Sequence, residues 1–355
     1  MAQNLESPKT KKSFSPFSSA IILVLVVVVA VSGYVFFRSD RITGLEVALR
    51  TATFLDKAFQ PDGKLFGGFE CEKSASGSEC PPIPVLAEHP HTGQAIFGYF
   101  LLAEASGDPS YREKADKAIN YVLDACETNL TMCEWNFFPL TQYYQVTKEE
   151  KYLTRGMLPP AEKFLAMSDY DTIITNTGHK LAALYTATKD ERFLKRIVGI
   201  ADAELQKPIE SNNLMFQIIW SVYLPVYKIT GDPKYLLASR EFFDNNDVAK
   251  RIKREEFKDV ASIAYLVKAA DALLSLAELG EKRDIYRAQA QSILQVVLNK
   301  LWDTPENPKF TGDYGFIEDT LNENKSTKET LFNGWLIKVF VLMKDAKFDE
   351  PRPVK

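Results

Sequence analysis

"TGDPKY", Thr230–Tyr235, is a helix–helix turn spelled out in residue types. A glycine can end one helix in the left-handed conformation, an aspartate can cap the next, and a proline suits that helix's first turn. The stretch recurs as "SGDPSY" (Ser106–Tyr111), "TKEEKY" (Thr147–Tyr152) and "TKDERF" (Thr188–Phe193), with a looser "LGEKRDIY" (Leu279–Tyr286) downstream. The first four copies begin at 106, 147, 188 and 230, steps of 41, 41 and 42 residues. A fixed step of this size is the mark of a repeated helical hairpin.

The flanks agree. Before each turn lies an apolar segment ("AIFGYFLLAEA", "FFPLTQYYQV", "KLAALYTA", "IIWSVYLPVYKI"), hydrophobic on most sides as an enclosed helix requires. After each turn lies an amphipathic one with a charged face, such as "REKADKAINYVLDAC" or "LKRIVGIADAEL". Extended along the chain, the pattern predicts inner helices at 91–105, 136–146, 177–187, 213–229, 258–279 and 328–342. It predicts outer helices at 42–58, 109–126, 149–167, 190–206, 232–245 and 281–302. Pro159-Pro160 should break or kink the third outer helix. No segment alternates as a strand, so the expected class is all-α.

A period near 41 fits either an open helical solenoid or a closed ring. Six inner and six outer helices are the number that closes an (α/α)6 toroid, and the inner set is too apolar to line an open concave surface. In "HTGQAIFGYFLLAEASGDPSY" (His91–Tyr111) and "NTGHKLAALYTATKDERF" (Asn176–Phe193) the chain resembles the six-hairpin glycosidase-like superfamily, over about residues 41–345. The resemblance implies an (α/α)6 toroid whose site lies at the rim where the inner helices begin. The connections entering that rim are the long ones, 59–90, 127–135, 168–176, 207–212, 246–257 and 303–327, and long loops on a rigid scaffold are where binding usually resides.

The N-terminus differs from the rest. Ser13–Phe37 carries no charge, and Lys9, Lys11 and Lys12 precede it. Length and flanking charge predict a cytoplasmic tail at 1–17, a membrane anchor at 18–37 and an extracytoplasmic domain at 38–345, followed by a tail at 346–355. A cleaved signal peptide is the competing reading, with Ala30-Val31-Ser32 as the small-residue site. The expected partners are then the lipid bilayer through residues 18–37 and an extracytoplasmic glycan. A net charge of −4 gives no basic footprint for nucleic acid. The four cysteines form two local pairs, Cys71 with Cys80 and Cys126 with Cys133, as disulfides outside the cytosol would. Zinc is the rival reading, although neither spacing is C-x-x-C.

Chemistry at the rim falls to acids, aromatics and histidines. Glycoside hydrolysis needs two carboxyl groups, one acid and one base or nucleophile. The candidates are Glu134 or Asp171 as the acid and Asp313 as its partner, with Trp135, Tyr170 and Tyr314 to stack on sugar rings. Acids at helix N-termini also serve as caps, which is the bland alternative. All three histidines fall at inner-helix starts, and His91 aligns with the region of His179. Epimerases of the N-acylglucosamine 2-epimerase type, also α/α barrels, use rim histidines as acid and base, so this pair is an alternative catalytic set. His89-Pro90-His91 lacks a defined carboxylate partner, and no nucleotide-binding loop or HExxH motif is present, so no metal or cofactor is assigned. The predicted function is action on a glycan by hydrolysis, elimination or epimerisation. The rival is a non-catalytic helical scaffold for glycan or protein, an accessory subunit at the cell surface.

Overall fold

The structure is a computed structural model that describes residues 41–72, 81–82, 92–207, 213–246, 248, 260–280, 282–305, 311–317, 319–322 and 325–351. The predicted anchor at 18–37 lies outside these residues, and among the described ones no helix is long and apolar enough to cross a membrane.

The recurring turn works as its residues suggest. Inner helices α2 (Gly93–Ser106), α5 (Phe137–Thr147) and α8 (Thr177–Thr188) end at Gly107, Lys148 and Lys189, each with left-handed backbone at φ 75°, 58° and 60°. The fourth inner helix ends the same way at Gly231, φ 70°. The hydroxyls of Ser106, Thr147, Thr188 and Thr230 donate back to the carbonyls of Leu102, Tyr143, Leu184 and Val226 and accept from the N–H two residues on. Asp108, Asp190 and Asp232 then cap outer helices α3 (Pro109–Cys126), α9 (Glu191–Leu205) and α12 (Pro233–Asn245) by accepting from Ser110, Arg192 and Lys234. The closing aromatic binds sideways. Tyr235 donates to Asp202 of α9 at 2.7 Å, and Lys234 pairs with the same carboxylate at 2.8 Å. This turn thus joins the two helices of its hairpin and ties the outer one to α9.

Two inner and outer elements are irregular. The third outer element is a π-helical turn, Tyr152–Met157, then α6 (Ala161–Ala166), broken at Pro159-Pro160 as expected. The fourth inner helix runs α10 (Asn213–Ile218), a π-helical segment Ile219–Tyr223, and α11 (Leu224–Thr230). The remaining pairs are α13 (Val260–Glu278) with α14 (Arg283–Leu301), and the last inner helix α15 (Thr330–Leu342) with the first outer helix α1 (Gly44–Ala58). Two short rim helices were not foreseen, α4 (Leu130–Trp135) before α5 and α7 (Asp169–Ile174) before α8.

That last pairing decides between ring and solenoid. Helix α15 packs along both α1 and α2, so the end of the repeat array meets its beginning. Glycines permit the approach. A Cβ on Gly334 would overlap the Gln94–Ala95 backbone, and one on Gly44 would overlap the carbonyls of Phe340 and Met343. Strand β1 (Arg41–Thr43) pairs with β5 (Lys347–Asp349). Gly44 and Leu45 donate to the carbonyls of Ala346 and Lys344 at 3.1 and 3.2 Å, and Arg50 pairs with Glu350 at 2.5 Å. Residues 346–351 are therefore part of the closure and not a tail, with Phe348 fully buried against Phe340.

The absence of strands predicted from the sequence is also corrected. A three-stranded antiparallel sheet, order β2–β4–β3, joins Gly68–Glu72, Lys325–Glu329 and Asp319–Asn322. These segments are short and charged, so pairing between two distant connections, and no local alternation, makes them strands. Cys126, the last residue of α3, is joined by a disulfide to Cys133 in α4, which staples an outer helix to the rim. Cys80, the predicted partner of Cys71, lies outside the described residues.

Gly93 and Gly178 also serve close packing, against the Trp135–Asn136 backbone and the Ser221 carbonyl. If packing is the role of these glycines, Gly334→Ala should lower unfolding free energy by about 1–3 kcal/mol in urea titrations. Gly199→Ala, where an added Cβ meets nothing within 4 Å, should gain about 0.5–1 kcal/mol. An unchanged Gly334→Ala midpoint would mean the glycine leaves open space.

Candidate functional site

The predicted rim residues fall into separate surroundings. Glu134, near the end of α4, is buried, and both its oxygens accept from Lys163 Nζ at 2.7 Å. Trp135 beside it is half-buried beneath Lys180, whose Nζ lies 5.4 Å from the Trp135 ring and 4.9 Å from Phe164. Burial pulls the Lys180 amine down to about 8, against the opposing pull of Glu134. Asp171, in the first turn of α7, is exposed and exchanges hydrogen bonds with Ser168, Oγ to Oδ2 at 2.6 Å and N to Oγ at 3.0 Å. That is a helix cap. Tyr170 is 62% exposed, open enough to meet a ligand. His91 lies outside the described residues.

Asp313 has a different neighbourhood again. Its Oδ1 accepts from Lys328 Nζ at 2.5 Å and from the Gly315 N–H at 3.0 Å, and its Oδ2 from Lys57 at 3.2 Å. Burial alone would raise this carboxyl, but Lys328, Lys57 and the Gly315 N–H outweigh it and hold it below its ordinary value. Lys328 also donates to Asp303 Oδ2 at 2.7 Å, and both residues are fully buried. Tyr314 adopts φ 63° and packs its ring 5.3 Å from Trp302, with Arg50 5.5 Å above. No two of Glu134, Asp171 and Asp313 share a hydrogen-bond partner in the described structure.

Side chains that do converge sit deeper, on the inner faces of the inner helices. Phe138 of α5 touches Trp220 of the fourth inner helix (centroids 6.2 Å), and Trp220 touches Trp335 of α15 (5.0 Å). These helices are not ring neighbours, so the contacts cross the middle of the toroid. His179 of α8 lies edge-on to Trp220 at 4.4 Å and to Phe138 at 5.6 Å. Phe97 of α2 lies 6.0 Å from Lys338 Nζ. Asp271 of α13 binds the group together. Its Oδ2 accepts from Trp220 Nε1 (2.8 Å), Trp335 Nε1 (3.2 Å) and Lys338 Nζ (2.6 Å). Among the described residues its Oδ1 accepts no hydrogen bond. Burial would raise the Asp271 carboxyl; Lys338 with the Trp335 indole reverses this and keeps it below the usual carboxylate range. An anion is thus fixed at the centre through one of its oxygens.

The repeat explains how the aromatics arrive there. Phe97, Phe138, His179 and Trp220 are 41 residues apart in succession, the same step as the turns. The π-helical segment carrying Trp220 widens the helix by one residue where the indole must reach Asp271. His179 sits among these central aromatics. Burial, reinforced by Lys338, pushes its imidazole down to about 3, and among the described residues its buried Nε2 has no hydrogen-bond partner.

No family model matches this sequence, and no curated protein matches it. Solved structures do. The chain is similar to an unsaturated glucuronyl hydrolase specific for heparin, at 11% identity and TM-score 0.59, covering 84% of this chain and 95% of that one. It is similar to the α-1,6-mannanase GH76A of Salegentibacter sp. HEL1_6, at 12% identity and TM-score 0.57, covering 84% and 98%. An inactive double-aspartate variant of that mannanase was solved with α-1,6-mannotriose, and matches at TM-score 0.58. The unsaturated glucuronyl hydrolase of Streptococcus agalactiae matches at 10% identity and TM-score 0.57, covering 84% and 90%. The fold is the six-hairpin (α/α)6 toroid.

Two outcomes test these assignments. Between pH 6.5 and about 3 the unfolded chain binds a proton at His179 that the folded protein does not. Its contribution to stability is therefore complete above pH 6.5 and falls, by roughly 1.4 kcal/mol per unit, as pH drops through that window. His179→Phe should flatten the decline in urea midpoint from about pH 7 to about pH 5; parallel slopes would contradict a buried neutral imidazole. Lys328→Met, which removes the cation shared by Asp303 and Asp313, should cost about 3–5 kcal/mol. Asp171→Asn should stay within about 0.5 kcal/mol. Equal melting temperatures for the two variants would overturn this division.

Proposed function

We propose that this is a membrane-anchored, extracytoplasmic protein that acts on a glycan, taking a sugar into the toroid from the long-loop rim. The observation that carries the reading is Asp271: a central carboxylate with one oxygen clamped by two indoles and a lysine, ringed by aromatic side chains. Aromatic faces with a few fixed polar groups are what sugar recognition requires. The similarity to glycan-acting toroids supports a glycan as the ligand. The uncharged run Ser13–Phe37 supports the anchor.

In this reading Asp271 is the anionic partner. Held ionised, it stabilises positive charge developing on a sugar ring or serves as base or nucleophile, and it does not donate a proton. Glu134 or Asp171, on the rim, would supply the acid. Asp313, engaged with Lys328 and Lys57, has no part in the reading. A binding-only scaffold is favoured by one observation, that Trp220, Trp335 and Asp271 are nearly enclosed, at 3%, 9% and 2% exposure. Assay of the purified protein for sugar release from a panel of neutral and acidic glycans separates the two. Turnover should fall by about 10²-fold or more in Asp271→Asn/Lys338→Met, a pair that leaves no unpaired charge. Undiminished turnover in that variant would sink the assignment, and saturable binding without release would favour the scaffold.

A further inference from the structure

One buried cluster has the parts of a reaction that the glycan reading does not use. Lys328 of β4 is fully buried, and its Nζ lies 2.5 Å from Asp313 Oδ1, 2.7 Å from Asp303 Oδ2 and 3.2 Å from Thr311 Oγ1. Asp303 is positioned by the N–H groups of Thr311 and Gly312, each at 2.9 Å from the same Oδ2. Phe54, whose ring lies 5.9 Å from Nζ, is fully buried and gives the cluster an apolar wall. Gly315 completes the enclosure, since a Cβ there would meet Phe54 and the Lys328 stem.

We propose that Lys328 and Asp313 form an intramolecular amide, Nζ to Cγ, with Asp303 as the proton acceptor. The resting ion pair gives way to its neutral form at modest cost, because a pair buried from water gains little by staying charged. One ammonium proton passes to Asp313, giving the amine and the carboxylic acid; the amine adds to the Asp313 carboxyl carbon, and Asp303 takes a second proton from the nitrogen. The Gly315 N–H at Oδ1 and Lys57 at Oδ2 stabilise the oxygens of the tetrahedral intermediate. The Cγ–O bond then breaks and the oxygen leaves as water with two protons, one returned by Asp303. The amide keeps one proton on nitrogen, Asp303 ends as it began, and no oxidant or cofactor is consumed. The product staples β4 to the connection after α14, locking the sixth long loop onto the strand that leads into α15.

Peptide mass spectrometry on the reduced, denatured full-length protein decides the matter without any variant. Trypsin should leave Lys328 uncut and yield residues 310–325 linked to residues 326–338, one water lighter than the sum of the two peptides. Fragmentation should place the link on Asp313 and Lys328. Only unlinked peptides, in fresh and in aged protein, would overturn the proposal, and so would a link to Asp303 in residues 301–309. Asp303→Asn should form the link about a hundredfold more slowly; formation at the wild-type rate would remove Asp303 from its role.

Discussion

The structure depends on the passage of α15 between α1 and α2. Every hairpin but this one is made from consecutive segments, joined by a short turn that folds locally. The last must bring the two ends of the chain together, so its loop-closure cost is the largest in the fold. Three devices share the load: glycine contacts at Gly44 and Gly334 that let backbones touch, the β1–β5 pair, and the Arg50–Glu350 bridge. An open array would expose the side of α2 that meets α15 and α1, where Ala95 and Tyr99 are now fully buried. Closure is what turns six hairpins into an enclosed centre.

Much of this was legible in the residues because it is local. The 41-residue step, the left-handed caps and the Asp and Pro starts depend on neighbours in sequence, and helix bounds follow within a few residues. The same step also carried a signal about the centre. Phe97, Phe138, His179 and Trp220 share the repeat's register, so the inward position could have been found by alignment of the repeats. What the register could not convey is what meets them. Asp271 lies in "VKAADALLSLAEL", an acid in an apolar helix, and an acid there reads equally as a surface residue.

The rim acids illustrate the opposite limit. Among the rim acids, Glu134 and Asp313 each have a chemical neighbour that sequence distance hides, while Asp171 is held by a neighbour three residues away. Lys163 comes from an outer helix, Ser168 from a cap, and Lys328 from a strand whose existence depends on pairing with Gly68–Glu72. Carboxylates are assigned roles by their partners, and partners are a tertiary property. Asp271 differs from the rest in receiving its cation and two indole N–H groups together on one oxygen.

The central claim is that a sugar reaches the toroid's middle at Asp271. Two of the four tryptophans, Trp220 and Trp335, donate to that carboxylate, so their emission should respond to anything that binds there. Titration of intrinsic tryptophan fluorescence with a panel of oligosaccharides is the most direct measurement. The account predicts a saturable change with at least one glycan class in the wild type and its loss in Asp271→Asn/Lys338→Met. A titration that is identical in that variant, or emission that no glycan alters, would contradict it.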